Sequence, residues 1–196
     1  MSPLNGLNLA FLAALLGACS ASRAEPDATG IEGKARAIDG DTVAIDFRLL
    51  GADAFERKQW CEMPSGCAPC GKAAQDFAAR FLARGPATLR LTGQSSYGRP
   101  IAIAEVAGRD LGEAMIRAGY AIPRPQYLAH DSDRRARYEA ASADAKTAKA
   151  GALAGEWIDP ADWRKGERLT CERNRPREDI RASYRTGWRG RDRGND

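Results

Sequence analysis

Carboxylates and arginines at the ends of apolar runs are the residues of this chain best suited to chemistry. They fall in three groups: Asp39-Gly40-Asp41-Thr42, the run from Arg48 through Leu49, Leu50, Gly51, Ala52, Asp53, Ala54 and Phe55 to Glu56, and Tyr97-Gly98-Arg99. Each has a plain structural reading by itself. Asp and Gly favour tight turns, the second group reads as a buried strand with charged ends, and the third as a turn with an exposed arginine. Together they put several acids and two arginines where side chains from different strands can converge. Carboxylates without His or Cys partners suit a hard, oxygen-preferring cation such as calcium. Two guanidiniums can grip the equatorial oxygens of a phosphoryl transition state, and one further carboxylate can take a proton from water. The single histidine, His130, lies outside all three groups, so a mechanism built on His is poorly supported.

The elements that must position these residues are legible in outline. Ile31 to Val43 reads as strand then turn, the turn at Asp39–Thr42, and Phe47 to Gly51 as a second strand. Because Asp41 and Arg48 are close in sequence, the stretch between them is expected to be nearly all turn, centred on Ile45-Asp46. Residues 57–71, rich in Pro, Gly and Cys, read as a loop ordered by disulfides. Ala73 to Leu82 has helical spacing and ends before Gly85-Pro86. Ala87–Thr92 and Ile101–Val106 read as strands. Asp110 and Glu113 form a capping box ahead of a second helix that Gly119 closes, and Ser132 to Ala150 is a third, with Trp157 and Trp163 as packing residues after it. Strands, helix, strands, helix, helix give an α+β domain, with a small antiparallel barrel as its natural closure.

The 196 residues suit one domain with appendages, and 43% hydrophobic content is enough for one core. Leu7 to Leu16 is an apolar run too short to span a bilayer as a helix. The small residues that follow it are those of a cleavable export signal over 1–24, although no Lys or Arg precedes the run. Two processing sites compete. Leu16-Gly17-Ala18-Cys19 resembles a lipobox that would put a lipid on Cys19, whereas Ser22-Arg23-Ala24 resembles a conventional cleavage site. Either way Cys61, Cys67, Cys70 and Cys171 remain, an even number that suggests two disulfides with three pairings open. A zinc site or a redox pair built on Cys67-x-x-Cys70 with Cys61 and Cys171 is the alternative. Residues 25–30 read as a linker. Charge gathers in the tail, where residues 172–196 hold eight Arg against five acids, while residues 25–171 are formally neutral. Phosphate binding must therefore come from local placement of charge. The Arg-rich tail, 166–196, reads as partly disordered, and either adds phosphate contacts or simply solubilises.

Ile38 to Val43, Phe47 to Glu56 and Tyr97 to Arg99, in that order, resemble the signature of the staphylococcal nuclease (thermonuclease) family. Gly108 to Gly119 and Ala148 to Trp157 are similar to its later landmarks, so the likeness runs over about residues 31–160. The resemblance implies an OB-like, five-stranded antiparallel β-barrel with three helices, its domain spanning 31–165. It implies that Asp41, Asp53 and the main-chain carbonyl of Ala54 hold Ca²⁺, with Asp39 behind them. Glu56 would activate water, Arg48 and Arg99 would stabilise the phosphorane, and Tyr97 and Tyr127 would contact nucleotide. The implied reaction is hydrolysis of DNA or RNA to 3′-phosphate ends, single strands fitting best. A monomer is expected, exported to the periplasm, secreted, or lipid-anchored in the cell envelope.

The match has departures. Phe55 stands where the family usually has Pro, which would free the backbone between Asp53 and Glu56. Ala54 replaces a usual Thr without consequence for a carbonyl ligand, and Ser95-Ser96 replaces charged residues before Tyr97. Exported relatives imply a Cys61–Cys70 bridge, and Cys67–Cys171 is taken with it as first choice. The rival to an enzyme is the same fold as a silent nucleic-acid-binding module, against which the full set Asp41, Arg48, Asp53, Glu56 and Arg99 argues.

Overall fold

The structure, a computed structural model, describes residues 30–175, and its compact unit begins at Glu32. The export signal, Cys19, most of the linker and the tail from 176 onward lie outside the described residues.

Strands β1 (Ala35–Ala37) and β2 (Val43–Ile45) form a hairpin in which Ala37 faces Val43. Asp39 makes its turn: the carboxylate accepts from the amides of Asp41 (3.2 Å) and Thr42 (2.8 Å), the local bonding for which Asp is favoured in turns. The expectation that 41–48 is nearly all turn is therefore corrected. Val43 and Ile45 continue as strand because β1 lies alongside to pair with them.

Next come β3 (Arg48–Leu49) and β4 (Ala52–Ala54), joined by Gly51 at φ 66°, where an added Cβ would run into Leu128 at 2.7 Å. The loop expected over 57–71 contains a hairpin, β5 (Cys61–Met63) with β6 (Gly66–Ala68). A disulfide ties Cys61 to Cys70, and Cys67 is joined to Cys171 across 104 residues. Helix α1 (Cys70–Leu82) starts three residues before its amphipathic pattern does. Its first turn is held by that bridge and by the Gly71 amide donating to Gln59 (3.0 Å).

Strands β7 (Ala87–Ser96) and β8 (Arg99–Val106) form the long hairpin, with a register shift between Leu91 and Ser95. Strand β9 (Arg109–Asp110) pairs with β8, and β3 runs parallel to it, Arg48 beside Ile101. Pairing is thus mixed, not purely antiparallel, because the chain enters β3 in the direction of β8. Helix α2 (Leu111–Arg117) is capped by Asp110, which accepts from the Glu113 amide (3.1 Å). The capping box is only half closed, since the Glu113 side chain turns to Arg117 and Arg137.

Strand β10 (Ala121–Pro123) pairs antiparallel with β4, Asp53 opposite Ile122. A 3₁₀ turn (Pro125–Tyr127), α3 (Ser132–Thr147), a second 3₁₀ turn (Gly151–Ala154), α4 (Pro160–Arg164) and α5 (Thr170–Arg173) complete the chain. Ordered contacts thus continue past residue 165. Trp163 donates to Glu172 (3.0 Å), Arg168 lies over the Trp163 ring, and Arg175 over Trp60.

The core joins Phe81 of α1, Met115 and Ile116 of α2, Tyr138 and Ala141 of α3, and Val106 of β8, with Leu50 and Leu128. Helices lie against sheets built from one long hairpin and several short strands, the α+β class the sequence indicates. Phe55, at the position usually Pro, does not free its backbone. Its amide donates to Tyr120 (3.2 Å), and its buried ring meets Trp157 edge-on at 5.7 Å.

Gly71 links this scaffold to Glu56. A Cβ there would lie 1.6 Å from the Glu56 carbonyl oxygen, a backbone atom that cannot step aside alone. Gly71→Ala is expected to cost about 1–3 kcal/mol, the range for overpacking. Denaturant unfolding reads it, and an unchanged midpoint would show that the contact relaxes freely.

Candidate active site

Asp53 is the centre on which the other groups converge. It sits mid-strand in β4, and the β4–β10 register sets Arg124 diagonally across from it, a spacing that a long side chain can bridge. The Arg124 Nε (3.1 Å) and Nη2 (2.7 Å) both donate to Asp53 Oδ2, and its Nη1 donates to Asp159 Oδ2 (3.0 Å). Asp159 also caps α4 by accepting from the Ala161 amide (2.8 Å).

Helix α4 then delivers Arg164 to the same carboxylate. Its Nη1 donates to Asp53 Oδ1 (2.9 Å) and Glu56 Oε1 (2.8 Å), and its Nη2 to Asp53 Oδ2 (2.8 Å). Glu56 is held from behind by Gln59, which is fully buried. Its amide donates to Gln59 Oε1 (3.0 Å), the Gln59 amide returns to the Glu56 carbonyl (2.7 Å), and Gln59 Nε2 donates to Ile158 (2.6 Å).

Arg48, on β3, donates to Ser96 Oγ (3.3 Å) and stacks over the Tyr97 ring at 5.2 Å. Ser96, whose type departs from the family pattern, thus orients an arginine of the site. Arg99 opens β8. Burial holds the Arg48 guanidinium below its ordinary range, helped by the charges of Arg99 and Arg164 and opposed by Asp53 and Glu56. Counting Arg124 and Asp159, four guanidiniums meet three carboxylates, a local surplus of positive charge suited to an anionic ligand.

Burial alone would raise the Asp53 carboxyl, but hydrogen bonds from Arg164 and Arg124 outweigh it and hold Asp53 below its ordinary range. A carboxyl depressed in the fold stabilises above its unfolded pKa, and that contribution is lost as pH falls through the folded one. Unfolding free energy is expected to drop below about pH 4, and Asp53→Asn to drop less steeply. Urea titrations from pH 6 to 3 measure this, and identical pH slopes would deny the pairing any net worth.

The remaining sequence candidates are spread around this centre. Tyr97 and Tyr127 are exposed, at 86% and 64%, the first in the β7–β8 turn and the second just after Arg124. Asp39 and Asp41 stand in the exposed β1–β2 turn. Hydrogen bonds from Thr42 and Asp41 hold Asp39 low, and Asp41 accepts from the Thr42 hydroxyl (3.2 Å). Neither forms a hydrogen bond with Asp53 or Glu56, and among the described residues no three His, Cys, Asp or Glu side chains gather as a cation site. Ala54 continues β4 beside Asp53.

Arg124, Asp159 and Arg164 were missed by sequence reasoning. Asp159 before Pro160 is a helix-start signal that predicts α4. Nothing local points to Arg164, which lies 111 residues from Asp53.

A convergent acid pair with flanking arginines and exposed tyrosines thus stands on a small α+β scaffold. A family model described as "Staphylococcal nuclease homologue" matches residues 46–153. The curated protein "Succinoglycan biosynthesis protein ExoI" of Rhizobium meliloti (strain 1021) is 35% identical over 148 residues, covering 72% of each chain. The chain belongs to the staphylococcal nuclease family. That membership carries a nuclease-like or nucleic-acid-related function. The two disulfides fit an exported protein, and among the described residues no helix is long and apolar enough to cross a membrane.

Proposed function

We propose that this protein is an exported, calcium-dependent phosphodiesterase that hydrolyses single-stranded DNA or RNA to 3′-phosphate ends. The observation that carries the reading is the meeting of Asp53 and Glu56 on one nitrogen of Arg164, beside Arg48 and Arg99.

Calcium fits the chemistry of this donor set. Two carboxylate oxygens already converge on a single cationic atom, and the family's donors here are all oxygen. Asp41, Asp53 and the Ala54 carbonyl would hold the ion, with Asp39 behind Asp41. When bound, it would supply charge neutralisation at the phosphate. The β1–β2 hairpin that bears Asp41 pairs with no other strand among the described residues.

The side chains divide the remaining work. Glu56 takes a proton from water as the water oxygen bonds to phosphorus. The bond from phosphorus to the 5′ oxygen breaks, that oxygen takes up a proton, and the phosphate stays on the 3′ side. Arg48 and Arg99 meet charge growing on the non-bridging oxygens, with Arg99 nearer the leaving oxygen. Tyr97 and Tyr127 offer exposed rings on which unpaired bases stack.

Cleavage of denatured DNA by the oxidised protein, with calcium and with chelator, tests the proposal. Calcium-dependent products bearing 3′-phosphate ends are expected. Tight single-strand binding without cleavage under any condition would replace the enzyme by a binding module.

A further inference from the structure

We infer that Arg164 is the residue that sets the site's affinity for its cation, by holding the place between Asp53 and Glu56 until the ion displaces it. The inference rests on the calcium reading above and concerns this chain's own residues.

Arg164 Nη1 touches one oxygen of each carboxylate, at 2.9 and 2.8 Å, so the point equidistant from both acids is filled by positive charge. A divalent ion and a guanidinium cannot share that point, since they repel and need the same lone pairs. The same bond engages Glu56, which a proton-accepting role requires to be free.

The two arginines on Asp53 differ in a way that says which one leaves. Arg124 is 18% exposed and is shared with Asp159, so it stays anchored whatever happens at Asp53. Arg164 is 36% exposed, is the last residue of a five-residue helix, and among the described residues its carboxylate partners are Asp53 and Glu56. The backbone that carries it is fixed on both sides. Asp159 binds Arg124 before it, and the Trp163–Glu172 hydrogen bond and the Cys67–Cys171 bridge hold the chain after it. Release is thus a swing of one side chain, with the strap left in place.

An ion that must displace an occupant binds with an affinity lowered by the fraction of sites that are free. Calorimetric titration of calcium into the oxidised protein, without nucleic acid, measures this directly. Arg164→Gln is expected to tighten calcium binding by about tenfold, the effect of raising a free fraction near one tenth to one. Arg164→Lys, which keeps the charge but not the fork, is expected to fall between. Lys165→Gln removes one exposed charge from the C-terminal end of α4 and controls for bulk electrostatics. Thermal unfolding of each variant checks the fold, and the Lys variant carries the comparison if the Gln variant is unstable.

Equal affinity in wild type and Arg164→Gln, or equal tightening in Lys165→Gln, would overturn the inference and leave the proposed function standing. Weaker binding in Arg164→Gln would overturn it too, by making the arginine a support of the site. Absence of calcium binding in every protein, wild type included, would remove the calcium reading and this inference with it.

Discussion

Replacing Glu56 by Ala is expected to lower the rate of cleavage of denatured DNA by about 10²–10⁴-fold, the usual worth of a positioned general base. The variant should fold, because what places Glu56 is its backbone. Gln59 bonds both its amide and its carbonyl, Phe55 beside it is buried against Trp157, and the side chain itself is 35% exposed. Truncation removes one hydrogen bond from Arg164, which keeps two on Asp53. Loss should therefore appear in kcat, with KM and thermal stability little changed. Glu56→Gln, which keeps the volume but accepts protons poorly, should fall nearly as far. Activity within a few-fold of wild type in both would remove Glu56 from the proton transfer.

Arg134→Ala is expected to lower stability by about 3–5 kcal/mol, the cost of breaking a buried ion pair from one side. Its side chain is 5% exposed. The Nε donates to Asp110 (3.0 Å), and Nη1 donates to Asp131. Those two acids cap α2 and α3, accepting from the amides of Glu113 and Arg134. The Tyr138 hydroxyl also donates to Asp110 (2.9 Å), and burial, then the Asp110 charge, push that phenol well above its ordinary range. One guanidinium therefore bridges the two carboxylates that start two helices. Its removal leaves Asp110, only 8% exposed, as an unpaired buried charge. For a chain of this size the loss corresponds to roughly 10 °C in Tm. Calorimetry or denaturant unfolding reads it, and a loss under about 1 kcal/mol would mean that water replaces the arginine cheaply.

The order of the motifs determined the family, and local chemistry determined much of the fold. Asp39 had to make a turn, Asp110 had to cap α2, and alternating Ile101, Ile103 and Glu105 had to make strand β8, because a few adjacent residues decide each of these. The disulfides illustrate the boundary. An even set of four cysteines suggests two bridges, yet only folding brings Cys171 to Cys67 across 104 residues. The β5–β6 hairpin was hidden for a related reason, since its strands are three residues each and too short to show a period.

The candidate site divides the same way. Asp53, Glu56, Arg48 and Arg99 are legible because each stands in a motif of fixed spacing. What Asp53 touches is decided by the β4–β10 register and by α4, which bring Arg124 and Arg164 from 71 and 111 residues away. A sequence pattern records the backbone preferences of neighbours, whereas an ion pair of that span exists only once the tertiary fold sets which strands and helices lie side by side.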